Sequence, residues 1–154
     1  MYHPDQHREH QNHDYLTIED MRRYMRDRSA EDNELWQGIL NDDDEIQFAM
    51  DSCAREYNSL PPMGIDDGKH GKCLDKHTNM FFDGTAYFLC LAAMTNLMNN
   101  DAAYVADNVT ASMTKDRINH LQNVLCPMYK ERFEVAAKAR KQQLNVRAGF
   151  GIIW

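Results

Sequence analysis

Dense basic blocks, alternating strand patterns and long apolar runs are all missing from this chain of 154 residues. Lys and Arg number 17 against 24 Asp and Glu, a net charge of −7 with histidine neutral. Sequence-independent grip on a phosphate backbone is therefore not expected, because that affinity comes from clustered Lys and Arg releasing counterions. The longest apolar run, around Tyr87 to Met94, falls well short of the ~20 residues a membrane-crossing helix needs. The opening stretch, Met1 to Tyr15, is polar throughout and lacks the apolar core of a secretory signal, so nothing in it directs export from a cytoplasm.

Catalytic signatures are missing too. There is no glycine-rich phosphate loop, nucleophile elbow or zinc-protease helix motif. The four cysteines include no CxxC pair. Cys53, Cys90 and Cys126 fall in predicted helices and Cys73 in a predicted loop, and they read as small buried apolar residues. A disulfide staple in an extracellular particle is the second reading.

What remains is helical periodicity. Residues 1–16, rich in His, Gln, Asn and Asp, carry too little apolar surface to fold alone and read as a flexible arm. Thr17 is a good N-cap, followed by Glu19 and Asp20 where the helix dipole favours negative charge, and by Ile18, Met21, Tyr24 and Met25 at helical spacing. Residues 29–41 are ambiguous: Leu35, Trp36, Ile39 and Leu40 suggest a turn or two of helix, which Gly38 weakens. A second helix begins in the run Asp42 to Glu45, carries Ile46, Ala49, Met50, Cys53 and Tyr57 as its stripe, and ends at Asn58 to Pro62. Residues 63–79 read as a long loop.

The third helix, from about Asp83 to Asn99, has almost no polar face, so it should lie at the centre of a bundle, with a subunit interface as a further use for it. After a polar connection, Thr114 caps a long final helix from Lys115 to Leu144. Its predicted seam is Ile118, Leu121, Leu125, Met128, Arg132, Val135 and Ala139, with Phe133 and Ala136 beside the one charged position. Pro127 removes a backbone donor in mid-pattern and predicts a kink that the helix survives.

Residues 145–154 change character, with Gly149 and Gly151 expected to end the helix and large apolar groups following. The choice is between folding back on the chain's own core and docking into a neighbour. On the second reading the partner-binding candidates are Asn145, Val146, Arg147, Gly149, Phe150, Gly151, Ile152, Ile153 and Trp154, with Phe150, Ile153 and Trp154 as anchors. The fold expected is all-α: a small helical bundle with one central apolar helix, a long kinked C-terminal helix and extended N- and C-terminal arms. Its divisions are an arm at 1–16, a bundle at 17–144 and a docking tail at 145–154.

Metal and acid–base chemistry have thin support. His70, Cys73 and His77 supply three ligand types at spacings of three and four, but no fourth ligand for structural zinc is near them. His3, His7, His10 and His13 have helical spacing within a polar arm. Asp42, Asp43, Asp44 and Glu45 are consecutive, so on a helix they point around the cylinder and do not converge. Lys69, Lys72 and Lys76 make the loop the most basic patch, a contact for an acidic partner ring or simply solvated surface. No metal and no cofactor is expected.

The order of an early Thr17-Ile18-Glu19-Asp20 helix, an Asn58 to Pro62 turn, the stretch Asp83-Gly84-Thr85-Ala86-Tyr87, a long charged final helix and a closing Leu144-Asn145-Val146-Arg147-Ala148-Gly149-Phe150-Gly151 resembles the head–tail connector (adaptor) proteins of tailed bacteriophages. The resemblance covers most of residues 15–151 and rests on order and spacing. It implies a non-enzymatic virion protein of the neck, assembled in the host cytoplasm into a closed ring, commonly of about twelve copies, below the portal protein. The C-terminal segment would reach toward the portal, a downstream tail or neck protein would bind below, and DNA would pass through without specific binding. The His-rich arm, the 64–77 loop and the final Ile152-Ile153-Trp154 have no counterpart in that pattern. A different helical oligomeric interaction protein, or a zinc-binding protein using His70, Cys73 and His77, are the competing readings.

Overall fold

The computed structural model describes residues 15–27, 41–61, 79–101 and 115–149, with side chains up to 98 and 146 in the last two segments. Among the described residues the protein is all-α, with no strand. Its helices are α1 (Ile18–Met25), α2 (Asp43–Ser59), α3 (Asn79–Asp101) and α4 (Cys126–Gly149), the last preceded by helical residues 115–120 and a π-helical turn, Leu121–Leu125.

Local chemistry sets the first two helix starts. Thr17 Oγ1 accepts from the Asp20 amide at 3.2 Å while Asp20 Oδ2 accepts from the Thr17 amide at 3.1 Å, a reciprocal capping box. Leu16 and Met21, either side of that cap, are both buried in the same apolar cluster, as a hydrophobic staple requires. Asp42 and Glu45 repeat the box at α2 with distances of 2.7 and 3.3 Å. The predicted stripe of α2 is the observed one: Ile46, Ala49, Met50, Cys53 and Tyr57 are buried, joined by Ala54.

The end of α1 is less ordinary. Arg26 holds a left-handed backbone, φ 56°, and the paired bonds Asp27 N–H to Arg22 O (2.8 Å) and Arg26 N–H to Arg23 O (3.3 Å) make a Schellman closure. That position suits glycine, since an L side chain is strained there. Arg26→Gly is expected to stabilise the fold by about 0.5–1 kcal/mol, read as a higher urea midpoint at unchanged m-value; a lower midpoint would show that the arginine side chain matters more than its backbone.

α3 is the central helix, packed against α1, α2 and the final helix. It starts at Asn79, earlier than the expected Asp83, and buries Met80 and Phe81 in the core. Asp83 therefore lies inside the helix, and its carboxylate accepts a 2.7 Å hydrogen bond from the Tyr24 hydroxyl of α1. α2 runs antiparallel to α3, since Cys53 lies against Gly84 while Tyr57 meets Phe81 edge-on at 5.2 Å. The final helix is antiparallel as well: Cys90 pairs with Cys126, Gly84 with Phe133 and Phe81 with Arg140.

Pro127 does not break the final helix. The departure from regularity sits in the turn before it, where the Cys126 N–H bonds Leu121 O, five residues back instead of four. A π turn accommodates one extra residue, so the helix face rotates by about 100° beyond it. The expected seam continues one residue later in consequence. Ile118, Leu121 and Leu125 are half-buried as predicted; after the turn Phe133 and Ala137 are buried and Ala136 and Arg140 half-buried, while Arg132, Val135 and Ala139 face solvent. The helix also continues through Gly149, so Asn145, Val146, Arg147 and Gly149, expected in an extended tail, belong to it.

Candidate docking surfaces

The core is concentrated where α1, α2, the first half of α3 and the middle of α4 meet: Leu16, Met21, Ile46, Met50, Cys53, Tyr57, Phe81, Leu89 and Phe133 are its larger members. At Gly84 three helices are in close contact. A Cβ built there would lie 2.4 Å from Cys53 Sγ on α2 and 2.7 and 2.9 Å from two ring carbons of Phe133 on α4.

Buried polar groups pin the helices in register. Asp27, only 1% exposed, accepts from the Asn41 amide at 3.0 Å and from Asn41 Nδ2 at 3.2 Å. Arg22 donates from the same junction to Asp43 Oδ1 at 2.7 Å and to the Asn41 carbonyl at 3.0 Å. The end of α1 is thereby tied to the start of α2 across residues 28–40. Lys141 is 1% exposed, its stem following Phe133 and Ala137 at helical spacing and its ammonium 4.4 Å from the centre of the Tyr57 ring. Burial, then the bond to Asp83, pushes the Tyr24 phenol above its ordinary range.

All three cysteines among the described residues are free and buried, in keeping with their reading as small apolar residues. Burial pushes the Cys53 thiol up to about 12, the neighbouring Thr85 hydroxyl opposing it only in part. Burial, then the neighbouring Cys126, pushes the Cys90 thiol up to about 12. Thiols held so firmly protonated are poor nucleophiles and poor metal ligands.

The acidic run opening α2 does capping work: Asp42 and Glu45 close the box, Asp43 receives Arg22, and the four carboxylates do not converge. Among the described residues no group of three or more His, Cys, Asp or Glu is placed to hold a metal. His70, Cys73, His77, the four N-terminal histidines and the lysines of the loop lie outside the described residues. A shallow open cleft of about 550 Å³ runs between the start of α1 and α2, lined by Leu16, Ile18, Glu19, Gln47, Met50 and Asp51. Its two carboxylates sit among apolar and amide groups and the Thr17 hydroxyl, which is engaged in the α1 cap by a 2.7 Å bond to Asp20 Oδ2.

Two surfaces stand apart from the core. At one end of the molecule, the last turns of α4 outrun the start of α3: Asn145 and Val146 are exposed there, Val146 at 56%. Phe150, Gly151, Ile152, Ile153 and Trp154, which follow, lie outside the described residues. At the opposite end, the outer half of α3 and the π turn form a two-helix arm beyond the core. The sequence expectation that α3 is enclosed along its whole length holds only for its first half: Leu91, Met94 and Leu97 are half-buried and Met98 is 56% exposed. Among the described residues no helix is long and apolar enough to cross a membrane. No family model, curated protein or solved structure matches this chain.

Proposed function

We propose that this chain is a virion structural protein, a head–tail connector that assembles as a ring beneath a portal and joins capsid to tail while leaving a channel for DNA. The observation that carries the reading is the final helix. It spans the bundle, is locked to α2 and α3 through Phe133, Ala137 and Lys141, and then leaves the core with Asn145 and Val146 exposed. A rigid helix that outruns its own core and is followed by Phe150-Gly151-Ile152-Ile153-Trp154 suits an anchor presented to another molecule. Aromatic and branched apolar residues are the kind that dominate binding energy at interface centres.

The acidic balance supports the same role. Copies with a net charge of −7 arranged around a channel would let DNA slide instead of gripping its phosphates. The chemistry on the described surface is that of capping, packing and ion pairing.

The test is imaging and mass measurement of the purified chain, alone and with portal rings, comparing the full sequence with one truncated after Gly149, which keeps every described residue of the final helix. Rings, or capture by a portal that disappears with residues 150–154, is the expected result. A chain that stays monomeric beside every portal, or is captured equally well without those residues, overturns the reading.

A further inference from the structure

Cys90 and Cys126 are the one pair of cysteines that the fold brings together among the described residues. Cys90 lies in the middle of α3 and Cys126 opens α4. The antiparallel pairing of the two helices sets them opposite each other, 5% and 6% exposed, with the Cys90 thiol donating a hydrogen bond to the Cys126 sulfur. Cys53 is out of reach. Its sulfur faces Gly84, six residues earlier on α3 and so about 9 Å away along the axis, and its thiol donates to the Phe81 carbonyl at 3.9 Å.

The backbones of the pair are spaced for a bond. Packed helices lie about 8–10 Å apart and carry their Cα atoms about 2.3 Å off the axis, which puts opposed residues near the Cα separation of about 4.4–6.8 Å that a disulfide spans. The adjustment from thiol contact to covalent length falls where the final helix is least constrained. Cys126 closes the π turn, its N–H reaching back five residues to Leu121 O, and Pro127 beside it has no N–H to hold the preceding turn.

We propose that Cys90 and Cys126 are a dithiol–disulfide pair, open in a reducing compartment and closing into a covalent staple between α3 and the final helix when the protein meets a low-molecular-weight disulfide. The proposal stands without the connector reading; under that reading the change of surroundings is release from the host cytoplasm. The Cys126 thiolate attacks one sulfur of the small disulfide, forming a mixed disulfide and expelling one small thiolate. Cys90 then gives up its proton and its sulfur attacks that of Cys126, expelling the second. Two electrons and the two thiol protons pass from the protein to the oxidant, which leaves as two small thiols. Burial raises both protein thiols, and the hydrogen bond from Cys90 favours the thiolate of Cys126, so Cys126 attacks first. Closing residues 90–126 into a loop removes freedom mainly from the unfolded chain, so the staple should stabilise.

The experiment exposes the folded full chain to oxidised glutathione, removes it, alkylates the remaining thiols in denaturant and maps tryptic peptides without reduction. Trypsin leaves each of the four cysteines on a separate peptide. The expected product is the Cys90 peptide joined to the Cys126 peptide, two hydrogens lighter than the two reduced peptides together. The link should form equally in Cys73→Ser, and it should raise the urea midpoint by about 1–2 M, an increase reversed by dithiothreitol and absent in Cys126→Ala. Cys90 and Cys126 recovered alkylated, carrying separate glutathiones or joined to other cysteines overturns the proposal. A Cys90–Cys126 link that lowers the midpoint overturns it as well, because the bond would then strain the helix pair instead of stapling it.

Discussion

Gly84→Ala is expected to destabilise the fold by about 2–3 kcal/mol, although alanine is the better helix former by about 1 kcal/mol. The added methyl would sit 2.4 Å from Cys53 Sγ and under 3 Å from the Phe133 ring, and neither neighbour is a flexible chain end free to swing away. Phe133 is 2% exposed and Cys53 fully buried, so the strain must be relieved by moving α2 or α4 away from α3. Phe133→Ala should cost more, about 3–5 kcal/mol, because it leaves a cavity at the same junction. The informative quantity is the double variant. Removing the ring frees one side of the new methyl while the contact with Cys53 persists, so Gly84→Ala/Phe133→Ala should be less destabilised than the sum by about 1–2 kcal/mol. Urea unfolding of the four proteins gives the cycle directly. Strict additivity, or a Gly84→Ala variant as stable as wild type, would mean that the three helices are not held at contact distance there.

That junction also indicates which parts of the fold were legible in the amino-acid order. α1 and α2 were readable because their determinants are local: Thr17 with Asp20 and Asp42 with Glu45 are capping boxes written in four consecutive residues, and the α2 stripe repeats at steps of three and four. The start of α3 was not. Asp83 is a cap-forming residue type, and only the arrival of Tyr24, 59 positions earlier in the chain, reveals that its carboxylate is engaged elsewhere. Gly84, quoted in the sequence pattern without a reason, acquires one only when Cys53 and Phe133 converge on it. The presence and start of the final helix were legible, and so was trouble around Pro127. Its solution as a π turn was not, and although Met128 is half-buried as expected, Arg132, Val135 and Ala139 were each read one residue early. Arg132 stood out in the predicted seam for that reason; the true position is Phe133. Lys141 illustrates the reverse error. The predicted seam does not include this charged residue at helical spacing from Phe133 and Ala137, but a long apolar stem lets it complete the buried stripe with its charge on the Tyr57 ring.

The docking residues divide in the same way. Asn145 to Gly149 were assigned to an extended tail, and the helix runs through all of them, past the expected end at Leu144. The arm was only half legible. Lack of charge across α3 announced burial, and without the neighbouring helices placed it could not be known that the inner turns are enclosed and the outer ones, Leu91 to Met98, only half-buried or exposed.

The largest solvent effect is expected from alkali. The Cys53 and Cys90 thiols, ordinarily titrating near 9.0, are pushed up to about 12 in the folded protein, in each case mainly by burial. Below pH 9 the thiols stay protonated folded or unfolded, and their contribution to stability is fully present. Above it the unfolded chain releases these protons while the folded chain keeps them, so unfolding is favoured more with each step in pH until the folded thiols also titrate near 12. Each thiol should remove about 1.4 kcal/mol per pH unit across that window, or roughly 4 kcal/mol for the pair by pH 10.5. Cys126 and Tyr24 are shifted in the same direction and steepen the loss. Urea midpoints measured from pH 7.5 to 10.5 at constant ionic strength should therefore be level at first and fall steeply beyond pH 9. Loss of the two thiols in Cys53→Ala/Cys90→Ala lowers stability at every pH by leaving small cavities, but it should flatten the alkaline fall. A wild type indifferent to pH up to 10.5, or a double variant with an undiminished slope, would place the thiols in water. They would then not be wedged between α3 and its neighbours, and the close approach of helices at Gly84 and at the base of the arm would fall with them.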